Sequence, residues 1–162
     1  MDADKLKGMA IISVSEGARL GRVDEVLFDT AGLRAGGLHA SGEGQNFVVP
    51  FAQVKNVGAD AVMVENSQVT QAAGKGATFD ALTSLSALKK LKVVDDAGTL
   101  IGAVASVEID PANGQITSIT AHKGGMLGLG GASTTIEASS VHGIGPELLT
   151  IAALPEPPPE SH

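Results

Sequence analysis

The chain repeats itself, and this repeat constrains the fold more than any other feature of the sequence. The first half reads LGRVDEVLFD over residues 20–29, and the second half reads IGAVASVEID over residues 101–110, an offset of 81. Apolar positions upstream match at an offset of 82, and those downstream match at 87. The change from 81 to 87 places six extra residues in the Gly-rich stretch of the second copy. A repeat of this length predicts two similar modules in tandem.

Within each copy, short apolar runs alternate with turn-forming residues at a spacing typical of a small antiparallel sandwich or barrel. Asp110-Pro111-Ala112-Asn113-Gly114 is a hairpin signal, and Asp29-Thr30-Ala31-Gly32 is its counterpart in the first copy. Their Asp and Asn side chains are expected to make turns rather than to act as acids or ligands. We predict an all-β fold with minor helical turns near 49–54 and 137–141, and closing strands near 61–65 and 147–152.

The domain boundaries follow from the repeat and from local composition. Residues 67–84 are small and polar with two glycines, which is typical of a connector. The end of the chain reads PEPPPESH and is expected to be extended and mobile. We predict a first module over 1–66, a connector over 67–84, a second module over 85–154 and a Pro-rich tail over 155–162.

Composition disfavours several classes of function. The formal net charge is -7, both halves are acidic, and no basic cluster is larger than Lys89, Lys90 and Lys92, so direct contact with nucleic acid is not favoured. The chain has no Cys, which fits a reducing compartment. It has no apolar run of membrane-spanning length, and its first residues do not read as a secretory signal. We therefore expect a soluble cytoplasmic protein.

Residues that could carry chemistry are present but do not form a recognisable site. The four histidines, His39, His122, His142 and His162, have no metal-ligand spacing, and no Cys supplements them. The hydroxyl-rich run 133–140 lacks the glycines of a nucleophile elbow. We therefore predict no catalytic residue, no metal, no cofactor and no enzymatic activity.

Two pairs of adjacent acidic residues are interpreted as solvated surface. Asp24 and Glu25 are adjacent on a predicted strand and would point to opposite faces. Asp95 and Asp96 begin a turn, and neither pair has the alternating ligands of a calcium loop.

The Gly-rich stretch 124–131 is the one candidate contact surface. It does not read as a phosphate-binding loop, because strand-like residues rather than a helix follow it. It does place Met126, Leu127 and Leu129 on an excursion that the first copy lacks. Apolar side chains on such a loop often mark a contact surface, so these three residues are the predicted partner contact.

The order of these elements resembles the PRC-barrel family. In the first copy the resemblance is carried by Leu20-Gly21-Arg22-Val23, by Phe28-Asp29 and by Val48-Val49-Pro50-Phe51. The second copy keeps Gly102, Val104 and Asp110 but has Ile136-Glu137-Ala138 in place of the Pro-Phe pair. The resemblance implies two small PRC-type β-barrels in tandem and covers nearly the whole chain.

The family resemblance implies a scaffold or adaptor. The family includes the cytoplasmic domain of the reaction-centre H subunit, which caps other subunits, and the C-terminal domain of RimM-type ribosome maturation factors, which binds a ribosomal protein. The matching residues are glycines, turn residues and core aliphatics, so they indicate a fold rather than a reaction. We expect a non-enzymatic adaptor that binds another protein. The alternatives are a ribosome- or RNA-processing-associated factor and a small-ligand (quinone-type) binding protein. A homodimer is also compatible with the sequence.

Overall fold

The computed structural model describes residues 1–72, 81–124 and 131–153, most of which lie in strands. The strands are β1 Ala10–Ser13, β2 Ala18–Asp29, β3 Arg34–Gly42, β4 Gln45–Pro50, β5 Val54–Val57, β6 Ala61–Val64, β7 Gln71–Ala72, β8 Thr83–Ser84, β9 Lys92–Asp95, β10 Leu100–Ile109, β11 Ile116–Gly124, β12 Gly131–Glu137, β13 Val141–Ile144 and β14 Leu148–Ile151. The helical elements are the short 3-10 turns η1 Ala3–Leu6, η2 Phe51–Gln53, η3 Ser67–Val69 and η4 Ala138–Ser140, and the one-turn helix α1 Leu85–Leu88.

The strands form two sheets with the same internal order. The first sheet runs β5-β6-β1-β2-β3-β4-β7, with β8 paired to β2, and the second runs β13-β14-β9-β10-β11-β12. Strands β9 to β14 therefore repeat the order of β1 to β6. The predicted all-β class and tandem repeat are confirmed. The predicted helical turns correspond to η2 and η4, and the predicted closing strands to β6 and β14.

The glycine that opens each repeated segment is required by a close approach of two strands. A Cβ on Gly102 would lie 2.7 Å from the carbonyl oxygen of His122, and Gly102 has a φ of +152°. A Cβ on Gly21 would overlap the carbonyl oxygen of Ser41. Both glycines lie where the pairing of the long strand with the preceding strand shifts register, as expected at a β-bulge. The repeated glycine is therefore structural.

The Asp and Asn residues of the two hairpins make local turn contacts, as predicted. Asp29 accepts a hydrogen bond from the backbone N–H of Gly32 at 3.2 Å. Asp110 accepts from the N–H of Ala112 at 2.9 Å, and the side chain of Asn113 accepts from Gln115 at 2.9 Å. These side-chain hydrogen bonds satisfy backbone N–H groups of the turns that have no partner on a neighbouring strand.

The two modules pack against each other and share one apolar core. Leu6, Phe28 and Leu38 of the first copy and Ile109 and Ile136 of the second are 1% exposed or less and belong to one continuous cluster. Burying one such side chain stabilises a fold by roughly 1.5–3 kcal/mol. The two modules therefore form one packed unit.

A reciprocal pair of backbone hydrogen bonds joins the two sheets. Ala35 donates to the carbonyl of Gly114 at 2.7 Å, and Ile116 donates to the carbonyl of Leu33 at 2.9 Å. Each residue is offset by 81 from its counterpart in the other bond. Arg34 and Gln115, also 81 apart, face each other between them in an isolated antiparallel bridge. The copies are therefore related by a pseudo-two-fold axis that passes between Arg34 and Gln115.

Each module also extends its leading segment onto the long strand of the other. Asp2 bridges to Glu108 of β10, while Thr83 and Ser84 of β8 pair with β2. Asp2 caps η1 and Ser84 caps α1 by accepting a backbone N–H. The expected connector 67–84 thus includes two short strands, β7 and β8, that pair with strands of the first module.

Polar contacts between η1 and α1 are reciprocal as well. Lys7 donates to the hydroxyl of Ser86 at 3.1 Å, and Lys89 forms an ion pair with Asp4 at the equivalent position. Glu25 bridges both elements, with Lys7 at 3.2 Å and the hydroxyl of Ser86 at 2.7 Å. The interpretation of Glu25 as solvated surface is therefore wrong, because its side chain links the two modules.

The junction is asymmetric at one pair of positions. The ring of Phe51 in η2 packs against Gly114, and a Cβ on Gly114 would lie 2.7 Å from the ring atom Cδ1. At the equivalent positions the second copy has Ala138 and the first copy has Leu33. Leu33 and Gly114 both have positive φ, +52° and +77°. The large ring of Phe51 thus corresponds to a small alanine in the second copy. The glycine that it contacts corresponds to a leucine in the first copy.

We predict that Gly114→Ala lowers the free energy of unfolding more than Gly98→Ala does. Both glycines have positive φ, so each substitution adds backbone strain of about 1–2 kcal/mol. A Cβ on Gly98 meets no atom within 4 Å, whereas one on Gly114 meets a rigid ring, which adds about 1–3 kcal/mol. Denaturant unfolding of the two variants measures the difference.

The Phe51→Ala background provides the control for this prediction. Without the ring, Gly114→Ala should cost no more than Gly98→Ala, so the double-mutant cycle should give a coupling of about 1–3 kcal/mol. Additive effects of Phe51→Ala and Gly114→Ala would contradict the proposed contact.

Candidate interaction site at the module junction

A cleft opens where the two modules meet. Its volume is about 230 Å³, and it is lined by residues of both copies together with Leu82, which precedes β8. The lining residues are Asp29, Arg34, Ala35, Gly36, Pro50, Phe51, Ala52, Leu82 and Asn113. The β2–β3 turn, the η2 turn and the β10–β11 turn position these side chains. The same pairing that joins the sheets therefore also builds the cleft.

The cleft has an apolar floor and a charged rim. Phe51 is buried and Leu82 is half-buried, and a Cβ on Gly36 would lie 2.9 Å from Leu82 Cδ1. On the rim, the Arg34 side chain is 60% exposed, and its Nε lies 4.0 Å from the Asp29 carboxylate. An exposed pair at that distance contributes well under about 1 kcal/mol. Arg34 therefore keeps most of its capacity to bind another carboxylate.

Apolar floors with an arginine on the rim are common where one protein binds another. Hot spots are enriched in aromatic residues and Arg, and they combine a desolvated pocket with a polar border. An apolar side chain could enter the cleft while a neighbouring carboxylate contacts Arg34. The arrangement can thus support recognition of an acidic, apolar segment.

A second polar arrangement holds the segment that follows β6. The Glu16 carboxylate accepts hydrogen bonds from the Ser13 hydroxyl at 2.8 Å and from the Ser67 N–H at 2.7 Å and hydroxyl at 3.1 Å. These bonds, the one from Ser13 foremost, lower the pKa of Glu16. Because η3 begins at Ser67, the carboxylate fixes the chain just before β7.

Asp96 plays a similar part in the second module. Its carboxylate accepts from the N–H of Ala153 at 3.1 Å and contacts His142 Nε2 at 3.2 Å. The interpretation of Asp96 as merely solvated is therefore incomplete, because this residue fixes the segment that follows β14. Asp95 makes turn contacts with the N–H groups of Ala97 and Thr99, in keeping with the predicted turn.

His122 and His142 contact different partners and do not form a common site. His122 contacts the Ser133 hydroxyl at 3.1 Å, and His142 lies at Asp96. Over 1–72, 81–124 and 131–153, no group of three or more His, Asp or Glu side chains is arranged to hold a metal ion. In the same residues, no helix is long and apolar enough to cross a membrane.

The predicted contact residues Met126, Leu127 and Leu129 lie outside the described residues, so they remain a prediction. Sequence reasoning did not find the junction cleft. Its floor residues read as ordinary core, and Arg34 has no motif around it. The available signal was the repeat itself, which places Arg34 and Gln115 at equivalent positions in the two hairpins.

We predict that acid loosens the segment held by Glu16. Folding lowers the pKa of Glu16 from its ordinary value of 4.5. The stability that the ionised carboxylate contributes is therefore fully present above pH 4.5, and it is lost as the pH falls through the lower pKa of the folded state. Protection of the Ser67 amide from hydrogen exchange, corrected for the intrinsic rate, should fall over that range.

Glu16→Gln should reduce Ser67 protection at neutral pH and remove its acid dependence. Glu147→Gln, which removes an exposed carboxylate on the other module, is the matched control and should leave Ser67 unchanged. Equal protection of Ser67 in wild type and Glu16→Gln would contradict the assignment.

The family of the chain follows from comparison with known proteins. The family model described as PRC-barrel domain matches the chain twice, over residues 1–71 and over residues 83–142. A search of curated proteins found no match. The first matched segment contains β1 to β6, the second contains β8 to β12, and together they cover well over half of the chain. The chain therefore belongs to the PRC-barrel domain family and contains two copies of the domain in tandem.

Proposed function

We propose that the protein is a non-enzymatic interaction protein that binds a partner protein through the cleft at the module junction. The observation that carries this proposal is that both copies of the domain line the cleft, with Phe51 at its floor and Arg34 at its rim. The partner segment would insert an apolar side chain and place a carboxylate next to Arg34.

Three features of the cleft support a protein partner. The floor is rigid, because Phe51 packs against Gly114 and belongs to the shared core. The rim carries an exposed guanidinium, which binds carboxylates in two-pronged geometry. The lining also comes from several different elements, so binding depends on the assembled tandem rather than on one module.

The volume of the cleft favours a single side chain over a small-molecule ligand. Ligand pockets in proteins usually measure about 300–1,000 Å³ and enclose most of the ligand. The junction cleft, at about 230 Å³, is smaller and open to solvent. A quinone-type ligand would find little enclosure there, whereas one apolar anchor residue fits.

The test is a pull-down from the native host's extract with Arg34→Glu as the decisive variant. Charge reversal at the rim should weaken capture of the partner at least tenfold, since an acidic segment would then face a carboxylate. Arg34 is exposed, so the variant should keep the wild-type melting temperature. Nuclease treatment of the extract distinguishes a protein partner from capture through RNA.

Arg19→Glu is the matched control. Arg19 is exposed and lies on the same strand as Asp29, ten residues away. At the usual rise per residue, ten residues of strand span at most about 33 Å, and Arg19 does not line the cleft. Equal loss of capture in both variants would indicate a general charge effect and contradict the proposal.

The predicted loop contact is tested in the same assay. A variant with Met126→Ser, Leu127→Ser and Leu129→Ser should lose the partner if the Gly-rich stretch binds it. Loss in this variant together with full capture by Arg34→Glu would place the contact on the loop and overturn the cleft proposal.

A further inference from the structure

We infer that β12 is a self-association edge, on which the β12 strand of a second copy of this chain pairs antiparallel. The inference concerns a different surface from the junction cleft and does not depend on the proposed function. It would join the second modules of two chains through one continuous sheet.

The strand β12 is an unusually regular edge. It lies at the end of the second sheet, and its seven residues pair with β11 in one uninterrupted register. From Gly131 to Ile136 it contains no charge and no proline. Natural sheets usually protect edge strands with charges, prolines, bulges or short length, and β12 has none of these devices over that span.

The other described sheet edges are protected. Strand β5 carries Lys55 at its second position and has a register shift against β6. Strand β13 carries His142 and has a register shift against β14. Strand β7 covers two residues, Gln71 and Ala72, in the part of the chain that the structure describes. Within the described part of the chain, β12 is thus the one long, uncharged and regular edge.

The first module shows what such an edge binds. Strand β4, the counterpart of β12, is covered by β7, with Ala72 opposite Phe47 and Gln71 opposite Val48 in antiparallel pairs. At the offset of 87, Phe47 and Val48 correspond to Thr134 and Thr135. No other segment of residues 1–72, 81–124 and 131–153 pairs with the outer side of β12.

The sequence of the covering strand is not repeated in the second copy. At the same offset, Gln71 and Ala72 correspond to Pro158 and Pro159. Proline has no amide hydrogen and cannot donate to a ladder. Residues 158 and 159 therefore cannot make the ladder bonds that Gln71 and Ala72 make, whereas a strand of another molecule can.

A second copy is complementary to this edge in shape. An antiparallel strand pairs with itself about a two-fold axis, which gives an isologous interface. Ser133 and Thr135 are exposed on one face of β12, whereas Ile136 is buried on the other. Two β12 strands would thus place small hydroxyl side chains opposite each other, an arrangement favoured in cross-strand pairs.

Charge also favours the second copy. Each chain carries a net charge of -7, so two chains approach best where the surface is uncharged, as it is along β12. The acidic Glu137 lies at one end of the strand, and the exposed His122 and Lys123 lie beside Ser133 and Ala132 at the other. Antiparallel pairing brings the acidic end of each copy to the basic end of its partner.

The first experiment measures the mass of the full-length chain by sedimentation over a range of concentrations. The wild type should form a dimer, and Thr135→Lys should raise its dissociation constant at least tenfold, because two ammonium groups would meet near the axis. Thr150→Lys adds the same charge on β14, an interior strand of the same sheet, and should leave the dimer intact.

The second experiment uses the absence of cysteine from the chain. Ser133→Cys and Thr135→Cys each introduce a single thiol on the exposed face of β12, and directly opposed residues in paired strands come within reach of a disulfide. Under mild oxidation a covalent dimer should form in one of these variants or, if Ser133 lies opposite Thr135, in an equimolar mixture of the two, whereas Thr150→Cys should form no covalent dimer.

Each remaining outcome overturns the inference. A monomeric wild type would overturn the inference. Protected amides at Thr134 and Thr135 in that monomer would show that another segment of the chain covers β12. A dimer that persists in Thr135→Lys, or that is cross-linked equally through Thr150→Cys, would place the interface elsewhere. Circular dichroism and melting temperature confirm that every variant is folded.

Discussion

Two backbone hydrogen bonds, from Ala35 to Gly114 and from Ile116 to Leu33, are the contacts on which the rest of the structure depends. They satisfy amide groups at the inner ends of β3 and β11, which would otherwise lie unpaired beside an apolar core. Because the bonds are reciprocal, they also fix the rotation of one module against the other. The shared core, the η1–α1 contacts and the junction cleft all lie around this axis.

The pseudo-symmetry is broken where packing requires different volumes. Phe51 occupies the space beside Gly114, while the equivalent positions hold Ala138 and Leu33. Protein interiors pack to nearly constant density, so a large residue on one side demands a small one opposite. The ring of Phe51 in the first copy thus faces a glycine of the second copy, and the second copy has no ring at the equivalent position. The cleft with an aromatic floor therefore lies at Phe51 and not at the equivalent Ala138.

The parts of the fold that sequence could predict are those governed by local chemistry. The hairpins follow from Asp29 and Asp110, whose side chains bind their own turns, and the repeated Gly21 and Gly102 mark a close strand approach. The module junction could not be predicted in this way. Arg34, Gln115 and Glu25 have no motif of their own, and their roles arise from contacts between segments about 60 to 80 residues apart. The cleft depends on that junction, so it could not be predicted from the sequence either.

Because both halves of the junction belong to one polypeptide, their association is unimolecular. Because the two halves are covalently linked, their effective concentration with respect to each other does not fall when the protein is diluted. In a symmetric dimer of single domains, every substitution would appear twice, on both sides of the axis. Here a substitution appears once, so the edge that β7 covers on the first module and the edge at β12 can carry different chemistry on the same scaffold.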